Sequence, residues 1–207
     1  MCFTAKDSLL GYIINSISSI LLFNISNDAQ YKVIALFFLF VGQMQIFDFA
    51  FWKNQTCGGA NSVITRLAIL FNHLQPVVLY LLQTMYGFKQ STWSLNILIA
   101  YVVVGVIYTF GALLGVDCTL PNKGIMQWKW NFLTGAPIMY GLFIAYLISA
   151  SFNFTVSPVR YLAALAGIFT IIVAHKTPIL NASFGRIWCY YAAFVPLAFI
   201  ALYYFSS

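Results

Sequence analysis

From Trp93 to Leu114 the chain carries no charged residue, and apolar runs of similar length recur from one end to the other. A helix needs about 20 mostly apolar residues to cross the roughly 30 Å hydrocarbon layer of a bilayer. The recurrence of such runs constrains the fold more than any motif does. Composition agrees, with 62% of the 207 residues hydrophobic and only 7% charged. Soluble domains carry about 25% charged residues, so this chain has too little polar surface to cover a water-facing globule. The expectation is an all-α polytopic transmembrane bundle of about seven helices forming one membrane domain over residues 1–207.

The expected spans are 8–23, 33–52, 63–86, 93–114, 132–152, 158–173 and 184–204. Asp7 is placed as the N-cap of the first. Pro76 kinks the third, which a membrane helix tolerates when neighbours satisfy the freed carbonyl. The stretch from Gly115 to Asn131 reads as a loop, and Trp128 and Trp130 read as an interfacial aromatic anchor. No cleavable signal peptide is expected, because Met1 to Asp7 lacks a basic n-region.

The net charge of +6 does not point to nucleic acid, because the basic residues stand singly between apolar runs. Alternating spans put Lys6, Lys53, Arg66, Lys123, Lys129, Lys176 and Arg186 on one side, against Lys32, Lys89 and Arg160 on the other. This seven-to-three excess predicts a cytoplasmic amino terminus and a carboxyl terminus on the opposite side. Cys2, Cys57, Cys118 and Cys189 fall near the basic side and should then be reduced. With the opposite orientation, Cys57 and Cys118 become candidates for a loop-to-loop disulfide.

Ionisable residues inside a span carry the functional information, since an Asp at mid-helix costs about 2.5–3.5 kcal/mol on insertion scales. Asp48 lies one turn before the end of the second span, and Gln45, Asp48 and Trp52 share a face. Arg66 and His73 are seven apart and share a face of the third span. By depth, Cys2, Asp48, Arg66, His175, Arg186 and Cys189 crowd the half of the bundle nearest the amino terminus, with His73 reaching in from deeper. This predicts a polar vestibule open to that side, its bland alternative being helix-packing pairs such as Asp48 with Arg66 or Arg186. His73 can instead donate to the carbonyl that Pro76 frees.

Cys2, Asp48 and His73 are the candidate catalytic residues, the thiolate being the nucleophile. Cys2, Asp48 and either His73 or His175 can form a mixed metal site, so a metal ion is the candidate cofactor. Gln45, Trp52, Arg66, His175, Arg186, Trp188 and Cys189 are candidate ligand-binding residues, with Arg66 suited to an anion such as a lipid headgroup. A retinal Schiff base is not expected, because the last span, 184–204, contains no Lys. Three-His membrane hydrolases are matched in architecture at best, since the chain has two His.

Three stretches resemble a family of uncharacterised multi-pass membrane proteins of bacteria and large DNA viruses. They are Met1-Cys-Phe-Thr-Ala5, like the family's Met-Cys-Phe-Ser-Ala start, Gln45-x-x-Asp48-x-x-x-Trp52, and Trp188-Cys-Tyr-Tyr-Ala-Ala193. Asp48 stands where the family has Glu, and Phe49 where it has Gly. The resemblance implies a multi-helix membrane fold and no particular activity. Three readings follow for function: a membrane-embedded enzyme or binding protein for a small molecule or lipid; a transporter, channel or sensor; or a structural membrane component of a virion or organelle.

Overall fold

The computed structural model describes residues 4–122, 125–176 and 191–206. Its helices are α1 (Ala5–Ile25), α2 (Ala29–Val41), α3 (Gln43–Lys53), α4 (Gly59–Met85), α5 (Thr92–Gly115), α6 (Ala136–Ser151), α7 (Ser157–Lys176) and α8 (Val195–Ser206). Between α5 and α6 the expected loop folds as a hairpin, β1 (Leu120–Asn122) against β2 (Ile125–Gln127), followed by a 3₁₀ turn at Lys129–Phe132. The protein is an all-α membrane bundle. Among the described residues, four helical stretches, Ala5–Ile25, Ala29–Lys53, Gly59–Met85 and Thr92–Gly115, are long and apolar enough to cross a bilayer. Ala136–Ser151, with 16 residues, spans about 24 Å at 1.5 Å per residue, short of the hydrocarbon thickness.

In α1 and α5 the pattern of burial is inverted relative to a soluble bundle, whereas α2 and α6 bury mainly apolar side chains. α1 buries Ser8, Gly11, Asn15, Ser18 and Ser19 and exposes Leu9, Leu10, Ile13, Ile17 and Ile20. α5 buries Ser94, Tyr101, Gly105 and Tyr108 and exposes Val102, Val103, Val106 and Ile107. Lipid tails are as apolar as these side chains, so burying them gains nothing; small residues that allow close approach and polar groups that bond across helices turn inward instead.

Local chemistry sets the ends and breaks. Thr4, not Asp7, caps α1: the Asp7 amide donates to its Oγ1 at 3.1 Å, and the hydroxyl donates to the Asp7 carboxylate at 2.8 Å. Asp28 caps α2 by accepting from the Gln30 amide at 2.8 Å, so the polar connection to the second span is shorter than expected. That span, 29–53, is interrupted at Gly42, where Asn15 of α1 lies so close that a Cβ would clash with its side chain. Helix α8 begins only at Val195, after a turn at Ala193–Phe194, so the last expected span is not one continuous helix. Pro196, which lacks an N–H, suits the first turn of α8.

At the end of the bundle where α4 stops and α5 starts, the polar groups bind one another. Gln83 donates to the Ala150 carbonyl at 2.9 Å, and Gln90 donates to the Gln83 side-chain oxygen at 3.1 Å. Asn153 donates to Gln83 and Gln90 at 3.1 and 2.9 Å, and accepts from the Ser91 amide at 3.1 Å. This is interhelical hydrogen-bond glue among α4, α5 and α6.

Candidate functional site

The opposite end is built differently. The hairpin is fastened to the start of α4 by a disulfide and by hydrogen bonds from Asn61, Ser62 and Thr65, the last donating to the Thr119 hydroxyl at 3.0 Å. Cys57 and Cys118 form a disulfide, with Cα atoms 5.3 Å apart. Asn61 accepts from the Thr119 amide and donates to its carbonyl, each at 2.9 Å. The Ser62 hydroxyl donates to the Asp117 carbonyl at 2.7 Å. The disulfide is the pairing tied above to the orientation opposite to the one the basic residues predict.

Fastened this way, the hairpin folds Trp128 and Trp130 back into the bundle. Both are fully buried, with rings stacked at 5.2 Å and 18°. This corrects the interfacial-anchor expectation; of the two buried indoles, Trp128 finds a partner for its N–H. Trp128 Nε1 donates to the Asp48 carboxylate at 2.8 Å, and Asp48 is completely buried in α3. Gln45, one turn earlier, is also fully buried and faces Gly11 of α1, whose Cβ position lies 3.4 Å from its side-chain oxygen. Trp52, on the same face, is half-buried against the core.

Below the indoles a polar network crosses from the 3₁₀ turn through α6 to α4 and α5. Tyr108 donates its hydroxyl to the Trp130 carbonyl, and Tyr140 donates to the Asn131 side-chain oxygen. Asn72 donates to the Tyr140 hydroxyl at 2.8 Å. His73 is 6% exposed; its Nδ1 lies 2.7 Å from the Thr109 hydroxyl and its Nε2 3.4 Å from the Tyr140 hydroxyl. The His73 ring therefore meets side chains, not the carbonyl freed by Pro76. Tyr101 meets the backbone nearby, donating to the His73 carbonyl at 2.7 Å.

Three buried polar atoms of this region have no hydrogen-bond partner: Asn72 Oδ1, Asn131 Nδ2 and Trp130 Nε1. An unpaired buried polar group costs about 1–3 kcal/mol, so these three call for a reason, as do Asn15 Oδ1, Ser16 Oγ and Ser19 Oγ on α1.

The expected site residues divide. The structure buries Asp48 and Gln45 together in α3 and buries His73 in α4. Arg66 is exposed on the outer face of α4, among exposed Val63, Leu67 and Leu70, so it does not enter the buried network as expected. A snorkelling position is natural for a long cationic side chain near a helix end. His175 belongs to the last turn of α7. Cys2, Arg186, Trp188 and Cys189 lie outside the described residues. Among the described residues, no three His, Cys, Asp or Glu side chains gather as a metal would require. The vestibule expected to be open is roofed by the hairpin and its two indoles.

Trp130, Asn131, Tyr140, Tyr108 and Thr109 are the residues sequence reasoning missed. The signal available for Asn131 and Thr109 was a polar side chain beside or within an apolar run. For Tyr108 it was the seven-residue spacing from Tyr101, which places both hydroxyls on one stripe of α5. No family model, curated protein or solved structure matches the chain.

Proposed function

We propose that this is a membrane-embedded ligand-binding protein whose site is the buried network of Asn72, His73, Trp130, Asn131 and Tyr140, with Asp48 and Trp128 at its roof. The observation that carries the reading is the set of orphaned atoms, one acceptor on Asn72 and two donors on Asn131 and Trp130. A ligand group offering both a donor and an acceptor, such as a hydroxyl or an amide, completes them. The closed cluster of Gln83, Gln90 and Asn153 at the other end provides the contrast, since glue satisfies itself. The motif around Gln45, Asp48 and Trp52 flanks this site, so the family resemblance is part of the same proposal.

Asn72→Leu tests it. Leu is close to Asn in size and removes the orphaned acceptor, while the Tyr140 hydroxyl keeps Asn131 as its acceptor. The purified wild type should retain a small molecule in native mass spectrometry, and the variant should lose it while staying folded. An unchanged spectrum, with stability raised by about 1 kcal/mol, would mean that the network serves packing alone. The chain would then be a structural membrane component.

The disulfide supports an orientation in which the hairpin face meets an oxidising compartment, because cytosolic thiols are kept reduced. Against it stands the seven-to-three excess of basic residues, but exposed Arg66 sits within a span and counts weakly as a loop charge. A Gln55→Cys variant in sealed vesicles of known sidedness decides between them. An impermeant maleimide should label it from the oxidising side, and labelling from the cytosolic side alone reverses the assignment.

A further inference from the structure

We infer that the ligand is a neutral single-chain lipid, taken sideways from the bilayer through the cleft between α4 and α5. The inference deepens the binding reading above and rests on it through His73, which belongs to both the polar network and the cleft.

The cleft encloses about 300 Å³ and is lined by Leu70, Leu74, Val77, Val102, Val106 and Phe110, with His73, Tyr101 and Thr109 among its walls. A volume of this order is at the lower end of those that hold small molecules. Leu70, Leu74, Val102, Val106 and Phe110 are also exposed on the outside of the bundle, with Val106 and Phe110 about two-thirds exposed. The cleft therefore opens onto the face that lipid covers, and what fills it from outside is an apolar chain.

Its wall is largely apolar, with His73, Thr109 and Tyr101 as its polar side chains. The His73–Thr109 pair, 2.7 Å apart, stands where the cleft meets the network, and the long 3.4 Å contact from His73 Nε2 to Tyr140 marks the boundary between them. A chain lying along α4 brings its head to the His73–Thr109 pair. Among the described residues, no Lys, Arg, Asp or Glu lines the cleft, so an ionised head would be buried there without a counter-charge. A hydroxyl or carbonyl head meets no such penalty. That chemistry selects a long-chain alcohol or similar neutral lipid over a fatty acid.

Photolabelling in nanodiscs tests this with two probes, hexadecanol and palmitate, each carrying a diazirine in the chain. Hexadecanol should label residues 70–77 of α4 and 102–113 of α5 about tenfold more than the lipid-facing Ile17 and Ile20 of α1, and about tenfold more than palmitate labels the cleft. Val106→Trp should fill the cleft and abolish that excess. Val103→Trp, on an exposed part of α5 outside the cleft lining, should leave it intact. Uniform labelling around the bundle overturns the proposal in favour of annular lipid only. Equal labelling by palmitate overturns the neutral head. If Val106→Trp blocks labelling but Asn72→Leu releases nothing, the cleft stands and the network reading fails. If Asn72→Leu strips the bound molecule and Val106→Trp does not, the network stands and the lateral route is wrong.

Discussion

Trp128→Ala should cost about 3–5 kcal/mol of stability, read from the midpoint of unfolding in mixed detergent micelles. Two losses add. The indole is fully buried and stacked on Trp130, so truncation leaves a large cavity beneath the hairpin. It also removes the N–H that donates to Asp48 at 2.8 Å, deep in the bundle. Trp128→Phe separates the two. It keeps most of the ring and loses the donor, and should cost about 1–3 kcal/mol, the range for withdrawing one partner of a buried hydrogen bond. If Trp128→Ala shifts the midpoint by less than about 1 kcal/mol, the indole does not roof the site.

Cys57→Ser should cost about 2–4 kcal/mol. The bridge joins residues 61 apart in sequence, and in the chain-entropy model a loop of that length corresponds to about 4 kcal/mol. Part of that gain is absent here, because the bilayer already restrains α4 and α5 in the unfolded chain. Reduction of the wild type should reproduce the loss, and reduction of the variant should add nothing. The hairpin would then be held to α4 only by the hydrogen bonds of Asn61, Ser62 and Thr65, so the emission of Trp128 and Trp130 should shift to the red as water reaches them. A melting midpoint indifferent to reductant would contradict the bridge and, with it, the support for an oxidising environment at that face.

Both expectations concern the roof of the site, which is where the sequence was hardest to read. Trp128 and Trp130 flank Lys129 next to an apolar run, and aromatic residues beside a lysine at a span's edge most often sit at the membrane interface. They go inward because the hairpin doubles back, and the hairpin doubles back because Thr119 and Cys118 meet Asn61 and Cys57 across 58 and 61 residues of sequence. No local pattern encodes a contact at that separation. Arg66 shows a different limit. Helical arithmetic correctly places it on one stripe with Leu70 and His73. That stripe is the edge of the bundle, so its deep end lines the cleft while its shallow end faces out. Periodicity identifies which residues share a face and leaves open what the face meets.

What the sequence determined by itself is the solvent: runs of uncharged residues long enough to cross hydrocarbon, broken by turn residues, leave the chain no stable arrangement except helices in a membrane. It also located Asp48 and His73 as the ionisable side chains held within spans, since hydrocarbon penalises such groups unless something retains them. Which groups retain them was a matter of tertiary structure alone. Asp48 meets an indole from a hairpin 80 residues away, and His73 meets a threonine 36 residues on. Each pairing depends on how the helices pack and where the hairpin lands, and distance through space is the quantity that spacing along a chain does not contain.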